Sequence, residues 1–183
     1  MKNSTSRLYL ASLLGLGAVG MLLAATPVTA PVSQADKTDQ RVEVIFDHPE
    51  KFADVKGDST NSPQGQEVML DQIRGFLESR GAALLPAGDK LAITFTDIDL
   101  AGDYEPWHSG PMRDVRIVKD IYPPRFVFSY KLTDATGAVL QEDKVNLSDP
   151  SFMSRMTIDR NDPLHYEKDI LGDWIRSVVP RKK

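Results

Sequence analysis

The 183-residue sequence contains no cysteine, and this absence removes several classes of protein. Disulfide bonds, thiol catalysis, cysteine-ligated metals and lipid attachment through cysteine all require that residue. The sequence also lacks a G-x-S-x-G nucleophile elbow, a phosphate-binding P-loop and a glycine-rich dinucleotide turn. Its three histidines, at positions 48, 108 and 165, are too widely spaced for a local metal motif. No catalytic residues are identified, and the lack of these motifs favours a non-enzymatic protein.

The sequence has no excess of positive charge, since 22 Lys and Arg face 26 Asp and Glu. Residues 1–35 hold two basic and no acidic residues, so their removal changes the balance to 20 minus 26, or −6. A mildly acidic surface disfavours generic binding to nucleic acid, because the phosphate backbone requires basic contacts. We therefore expect an unidentified protein or a small ligand as the partner.

The N-terminal region has the pattern of a secretory signal. Two basic residues, Lys2 and Arg7, precede an uncharged apolar run over 8–25, and small residues and prolines follow. Cleavage is placed between 25 and 35. Both Ala30 and Ala35 fit the small-residue rule, and a cut after Ala35 is favoured because Pro31 would follow the other one. The rival interpretation is a membrane anchor, since 18 residues reach the lower limit of a spanning helix.

The N-terminal pattern and the composition of the rest of the chain predict its organisation and location. Residues 1–35 are a cleaved signal peptide, 36–40 a linker, 41–180 a single domain and 181–183 a basic tail. The protein is then exported to the periplasm and keeps no stable membrane anchor after cleavage.

The domain itself shows alternating and helical patterns of apolar residues. Alternation predicts strands over 42–46, from 91 to about 97, over about 114–121, and in a hairpin over 126–147. Helical spacing predicts helices over 63–80, ended by Gly81, and from 162–163 to Pro180. The resulting fold class is α+β, with a mainly antiparallel sheet of about five strands and two helices packed on one face, in the order β-α-β-β-β-β-α.

One strand carries an irregularity in its alternation. Leu91, Ile93 and Phe95 share a face, but the apolar positions then shift to Ile98 and Leu100. A regular strand would place the intervening aspartates in the core, which is costly. We therefore expect the strand to end, bulge or leave the core near 96–97.

The same irregularity opens an acidic stretch, TDIDLAGDYEPWH, over 96–108. It fits a calcium loop at Asp97, Asp99 and Gly102 but fails at Ala101 and His108, so an EF-hand is disfavoured. No cofactor is predicted, although a divalent metal is possible and would make the chain a metal-binding protein or a metal-assisted hydrolase. Its alternative ligand set is Asp97, Asp99, Asp103, Glu105 and His108. The competing interpretation, which is favoured, is that these acids are solvated or cap turns.

A ligand or partner surface is the other hypothesis for this region. Trp107 is either a binding anchor or, as favoured here, a cover for the edge of the core. The nearby arginines suit bidentate contacts and could pair with the acids. The candidate surface comprises Asp99, Asp103, Glu105, Trp107, Arg113, Arg116 and Arg125.

Several long strings together resemble one protein family. They are FDHPEKFAD (46–54), IDLAG (98–102), EPW (105–107), RDVRIVKDIYPPR (113–125) and YEKDILGDW (166–174). The chain resembles, over about 42–178, the bacterial secreted family called domain of unknown function 3016. The resemblance implies a small exported protein of Gram-negative bacteria with no assigned activity, and it carries over no catalytic residues.

Overall fold

Two helices cover one face of a four-stranded sheet in the computed structural model, which describes residues 41–57, 62–105, 107, 110–155 and 161–179. The described residues belong to one compact unit. The predicted signal peptide, linker and basic tail lie outside the described residues. Within the described ranges, no helix is long and apolar enough to cross a membrane.

The main sheet has the order β1-β2-β5-β6. β1 runs parallel to β2, because the helix between them returns the chain to the same end of the sheet, and the other two pairs are antiparallel. This arrangement confirms the predicted α+β class with a mostly antiparallel sheet. The strands are β1 Val42–Phe46, β2 Lys90–Asp99, β5 Arg125–Thr133 and β6 Val139–Ser148.

The prediction of a strand over 114–121 is wrong. Only Arg116–Ile117 (β4) is extended there, and it pairs with Asp103–Tyr104 (β3) in a separate two-stranded sheet. A 3-10 helix occupies Gly110–Asp114 immediately before it. The physical reason is that this segment has no buried face, because Val115, Val118 and Ile121 are all exposed. The main sheet therefore has four strands among the described residues rather than about five.

The first helix, α1, spans Pro63–Leu84. Its start is confirmed, because the Ser62 hydroxyl accepts a hydrogen bond from the Gly65 backbone N–H at 3.0 Å. Its predicted end at 80 is wrong, since Gly81 lies inside the helix, buried against the side chains of Val42 and Ile175. Pro86 sets the true end because it forces the preceding residue, the C-cap, into an extended conformation.

The second helix, α2, spans His165–Val178 and begins slightly later than the sequence predicted. Its buried stripe includes Ile170, Leu171, Trp174 and Ile175. The indole of Trp174 packs edge-on against Phe128 of β5, with ring centroids 4.6 Å apart. This contact places α2 over the centre of the sheet.

The irregularity predicted in β2 is confirmed. The pairing of β2 with β5 shifts register between Phe95 and Asp97, and the strand then continues to Asp99. The bulge keeps Ile98 fully buried while both aspartates lie outside the core. It therefore delivers two carboxylates to the end of β2, where a pocket lies.

Two glycines of α1 provide a matched test of this packing. A Cβ at Gly81 would lie 2.5 Å from Val42 Cγ2, whereas a Cβ at Gly75 would meet no atom within 4 Å. We expect Gly81→Ala to lower the free energy of unfolding by about 1–2 kcal/mol through overpacking. Gly75→Ala should instead raise it by about 0.5–1 kcal/mol, through helix propensity alone. Urea denaturation measures both changes, and equal stabilisation of the two variants would contradict the packing described for Gly81.

Candidate functional site

A cavity of about 380 Å³ lies where β2 ends. Its wall is formed by the segment after β1, by the turn after β2 and by the chain that leads into β5. Its volume falls within the range of small-molecule sites, about 300–1,000 Å³. Charged groups converge on it, and Asp54, Lys56, Asp99, Asp103 and Arg125 all contribute to its lining.

Backbone hydrogen bonds hold the first wall of this pocket against β2. The N–H of Asp54 donates to the carbonyl of Ile98 at 3.1 Å, and the N–H of Leu100 donates to the carbonyl of Asp54 at 2.9 Å. The Asp97 carboxylate accepts a hydrogen bond from the backbone N–H of Ala53 at 2.8 Å. The loop after β1 thus extends the sheet by a short parallel bridge between Asp54 and Asp99.

Arg116 holds the rear of the pocket together. Its two terminal nitrogens donate to the two carboxylate oxygens of Asp54, each at 3.2 Å, in the bidentate geometry that suits arginine. It also donates to the carbonyls of Gly102 at 2.8 Å and Lys56 at 3.1 Å, and its guanidinium lies 4.9 Å from the centre of the Tyr104 ring. A single side chain therefore ties together the two loops that wall the pocket.

A second ion pair neutralises another acid of the stretch. Arg125 Nη2 lies 2.5 Å from a carboxylate oxygen of Asp97, which is one of the pairings that the sequence allowed. The Arg125 side chain is still 37% exposed at the pocket, so it keeps donors available to solvent or a ligand.

Asp99 differs from these paired acids. Its carboxylate lines the pocket, and it makes no hydrogen bond or ion pair within the described ranges. Partial burial raises the pKa of Asp99, and the nearby Asp54 carboxylate raises that pKa further, while Arg125 opposes the shift. A carboxyl group in a cleft with a raised pKa is a frequent mark of a functional site. It can accept a proton or a cationic group.

The next two acids of the stretch take separate roles. Asp103 lines the pocket, and one of its oxygens accepts a hydrogen bond from the backbone N–H of Tyr104 at 2.7 Å. Glu105 is fully buried and accepts hydrogen bonds from Lys119 Nζ at 2.5 Å and from the Tyr122 hydroxyl at 3.0 Å. Burial and this bond to Glu105 raise the pKa of Tyr122. Glu105 thus fixes Tyr122, which forms part of the pocket wall.

Two members of the predicted surface lie away from the pocket lining. Arg113 is exposed in the 3-10 helix before β4. Trp107 is 69% exposed, so the prediction that it covers the edge of the core is wrong. The physical reason is that Phe152 and Ile170 already pack on Ala101 at this end of the sheet. The structure does bring together Asp99, Asp103 and Arg125 at the pocket, with Arg116 and Glu105 packed behind it.

The sequence analysis missed Asp54 because it lay at the start of a polar loop. Asp54 is only 8% exposed, and its partner Arg116 is 62 residues away in the chain. Phe52 and Val55, both buried, flank it and were the available signal that this segment packs against the core. Lys56 and Tyr122 were missed for the same reason, since only the fold brings them to the end of β2.

Two of the predicted metal ligands form ion pairs with separate basic residues. Among the described residues, no group of three or more Asp, Glu or His side chains is arranged to hold a metal ion. Asp97 pairs with Arg125, and Glu105 with Lys119. His108 lies outside the described residues. The divalent-metal alternative stays a prediction to be tested by titration.

Fold and pocket define a class of protein: a small α+β domain with a polar, open cleft at the end of its sheet. A family model described as Protein of unknown function (DUF3016) matches residues 40–177, more than half of the chain, and the chain belongs to this family. Searches of curated proteins and of solved structures found no match.

Proposed function

We propose that this protein is an exported, non-enzymatic binding module of the bacterial cell envelope. In this proposal it binds a small organic cation in the pocket at the end of β2. The observation that carries it is the Asp99 carboxylate, which is partly buried in the pocket without an ionic partner. The N-terminal pattern of basic residues, apolar run and small residues supports export to the periplasm.

The charge pattern of the pocket favours a cation over an anion. Asp54 and Asp97 are neutralised by Arg116 and Arg125. Asp99 and Asp103 join no ion pair within the described ranges, and Lys56 lies 3.8 Å from Asp54. The four carboxylates of Asp54, Asp97, Asp99 and Asp103 therefore meet the three cations of Lys56, Arg116 and Arg125, and the pocket keeps a net charge of −1. A ligand ammonium or guanidinium group would supply the missing partner and restore a favourable environment to the Asp99 carboxylate.

The remaining lining favours a ligand with an apolar stem. Ile121 and Pro123 line the same pocket, and Ile121 is 66% exposed. An alkyl chain that covers this side chain would remove apolar surface from water, at about 25 cal/mol per Å². We therefore propose primary alkylammonium or alkylguanidinium compounds as the ligand class.

Among the described residues, the pocket lining shows no nucleophile paired with a base. Ser148 could be a nucleophile by residue type, but its hydroxyl donates a hydrogen bond to the carbonyl of Pro124 at 3.0 Å. No histidine within the described ranges lines this cavity to act as its base. A binding function therefore fits the geometry better than a hydrolase.

The test uses two probes of similar shape and opposite charge, butylammonium and butanoate. The protein is expressed from the full coding sequence and purified in the form that the cell accumulates. We expect butylammonium to shift the amide resonances of Ala53–Lys56, of Asp99–Asp103, and of Ile121, Tyr122 and Arg125, whereas butanoate leaves them unchanged. Binding of butanoate alone, or shifts elsewhere in the spectrum, would contradict the proposal.

Asp99→Asn isolates the proposed contact. We expect this variant to bind butylammonium about tenfold more weakly or worse, because it removes a charge-assisted contact. It should unfold at the same or a higher denaturant concentration than the wild type, since the Asp99 charge is partly buried and unpaired. Asp143→Asn, the same change on exposed β6, is the control and should leave binding unchanged.

Titration with calcium, magnesium and zinc completes this experiment. If the wild type binds a stoichiometric divalent ion and Asp99→Asn does not, the ligand of the pocket is a metal ion rather than an organic cation. This result would also revive the hydrolase alternative, for which bound metal is the first requirement.

A further inference from the structure

A second feature lies at the edge of the sheet that is opposite β6. Among the described residues, β1 pairs only with β2 and is therefore an edge strand of the sheet. The N–H of Leu91 donates to the carbonyl of Arg41 at 2.8 Å, and the N–H of Asp47 donates to the carbonyl of Phe95 at 2.9 Å. In a parallel ladder the bonded residues alternate along the strand, so positions 41, 43, 45 and 47 face β2. The backbone groups of the intervening residues therefore point outward from the sheet.

These outward groups belong to Val42, Val44 and Phe46. Within the described residues, none of the loop or turn hydrogen bonds ends on their N–H or C=O groups. An edge of this kind is a template for an additional strand. Five residues at about 3.3 Å each give it a length of about 16 Å.

Helix α1 turns this edge into a groove. A cavity of about 470 Å³ lies between β1 and the first three turns of α1. Val44, Phe46 and Leu70 give it an apolar floor, and Pro49 and Pro63 close one end. A strand added to β1 would thus find main-chain partners on one side and an apolar pocket for its side chains on the other.

The charges along this groove are unbalanced. Arg74 is paired with Asp71, and its guanidinium lies 5.0 Å from the centre of the Phe46 ring. Glu67 of the groove wall is exposed and joins no ion pair within the described ranges. Glu43, on the same edge strand, is also exposed and joins none. The charge left for a ligand to match is therefore negative.

We infer that β1 and α1 form a peptide-binding groove for an extended segment of about five residues from a partner protein. The segment adds to β1 as a strand, places apolar side chains over Val44 and Phe46, and carries Lys or Arg opposite Glu67. This site is independent of the cation pocket at the end of β2. A second copy of the chain fits poorly, because its own Glu43 and Glu67 would oppose the same residues across the interface.

The other edge of the sheet lacks these features. β6 is twice as long as β1, but its residues are exposed on both faces for most of its length, and within the described ranges no helix forms a groove beside it. Its central residues are Glu142, Asp143 and Lys144, and charges of this kind protect an edge from pairing. β6 therefore supplies a matched negative control.

The test begins with a phage-displayed library of random heptapeptides. The target is the protein expressed from the full coding sequence, and Glu67→Lys is the counter-selection target. We expect enriched sequences with branched apolar residues, Lys or Arg at alternating positions and no proline at the centre. A synthetic copy of an enriched peptide should bind Glu67→Lys about tenfold more weakly. Asp143→Lys, the same charge change on β6, should alter its affinity less than about twofold.

Amide hydrogen exchange gives a sharper readout at single residues. On peptide binding, the amides of Val42, Val44 and Phe46 should exchange more slowly, while those of Glu43 and Ile45 are protected already. Either no enrichment over the counter-selection target or equal affinity for Glu67→Lys would overturn the inference. Protection that arises in β6, or a dimer that protects β1 without peptide, would overturn it as well.

Discussion

Replacement of Arg116 by alanine is expected to lower the free energy of unfolding by about 3 kcal/mol. The variant leaves the buried Asp54 carboxylate without its bidentate partner and removes the donor shared by the carbonyls of Lys56 and Gly102. Both losses occur where solvent can compensate little, since the Arg116 side chain is 17% exposed and that of Asp54 is 10% exposed. Denaturation in urea, monitored by tryptophan fluorescence, measures the change.

Arg113→Ala is the matched control for this prediction. It deletes the same side chain three residues earlier, at an exposed position, and should change stability by less than about 0.5 kcal/mol. Arg116→Lys should fall between the two, because lysine keeps the charge but cannot reproduce the bidentate pair. If both alanine variants lost the same stability, the role assigned to Arg116 would be refuted.

The second large effect concerns the buried Glu167 of α2. This residue is 1% exposed, and its Oε1 accepts a hydrogen bond from the Ala101 backbone N–H at 2.7 Å. Its other oxygen, Oε2, is buried and has no hydrogen-bond partner among the described residues. Burial raises the pKa of Glu167 above its ordinary value of 4.5, because the charged form loses its hydration.

The direction of the pH dependence follows from linkage. The folded state holds the Glu167 proton more tightly than the unfolded chain, so this group's contribution to stability is complete below its unfolded pKa. The contribution is lost as the pH rises through the folded pKa. Glutamine keeps the acceptor for Ala101 and cannot ionise, so Glu167→Gln should be more stable than the wild type at neutral pH by about 1–3 kcal/mol.

Measurement of the unfolding free energy from pH 4 to 8 for both proteins tests this claim. The difference between the two curves should grow with pH, since contributions from acids such as Asp149, whose pKa Arg155 lowers, are common to both and cancel. Glu167→Ala serves as the control, because it loses the bond to Ala101 at every pH. Parallel curves for wild type and Glu167→Gln would show that the pKa of Glu167 is the same in the folded and unfolded states and would contradict the assignment.

Local patterns predicted those parts of the fold that local physics determines. The bulge in β2 was predictable because Asp97 and Asp99 could not follow the alternation into the core. The stripe of α2 was predictable from its helical spacing. The end of α1 was mispredicted because Gly81 is a packing residue whose neighbours come from β1 and α2. The parallel pairing of β1 with β2 also depends on tertiary contacts, which the pattern of one strand does not encode.

The candidate site also has parts that local sequence could predict and parts that only the fold brings together. The acids at the end of β2 and the pairing of Arg125 with Asp97 were within reach of sequence reasoning, because the two strands are neighbours. Asp54 was not, since its contact with Arg116 closes a loop of 62 residues. The distinction between the paired acids and Asp99 depends on which side chains meet in space, and it decides the proposed function.

The proposed function requires the Asp99 carboxylate to receive a cationic group. The pKa of this carboxyl group, followed by carbon-13 NMR with and without saturating butylammonium, tests that requirement. We expect a raised pKa in the free protein and a lower one in the complex, because a bound cation stabilises the ionised form. A pKa that does not change on addition of butylammonium would contradict the proposed function.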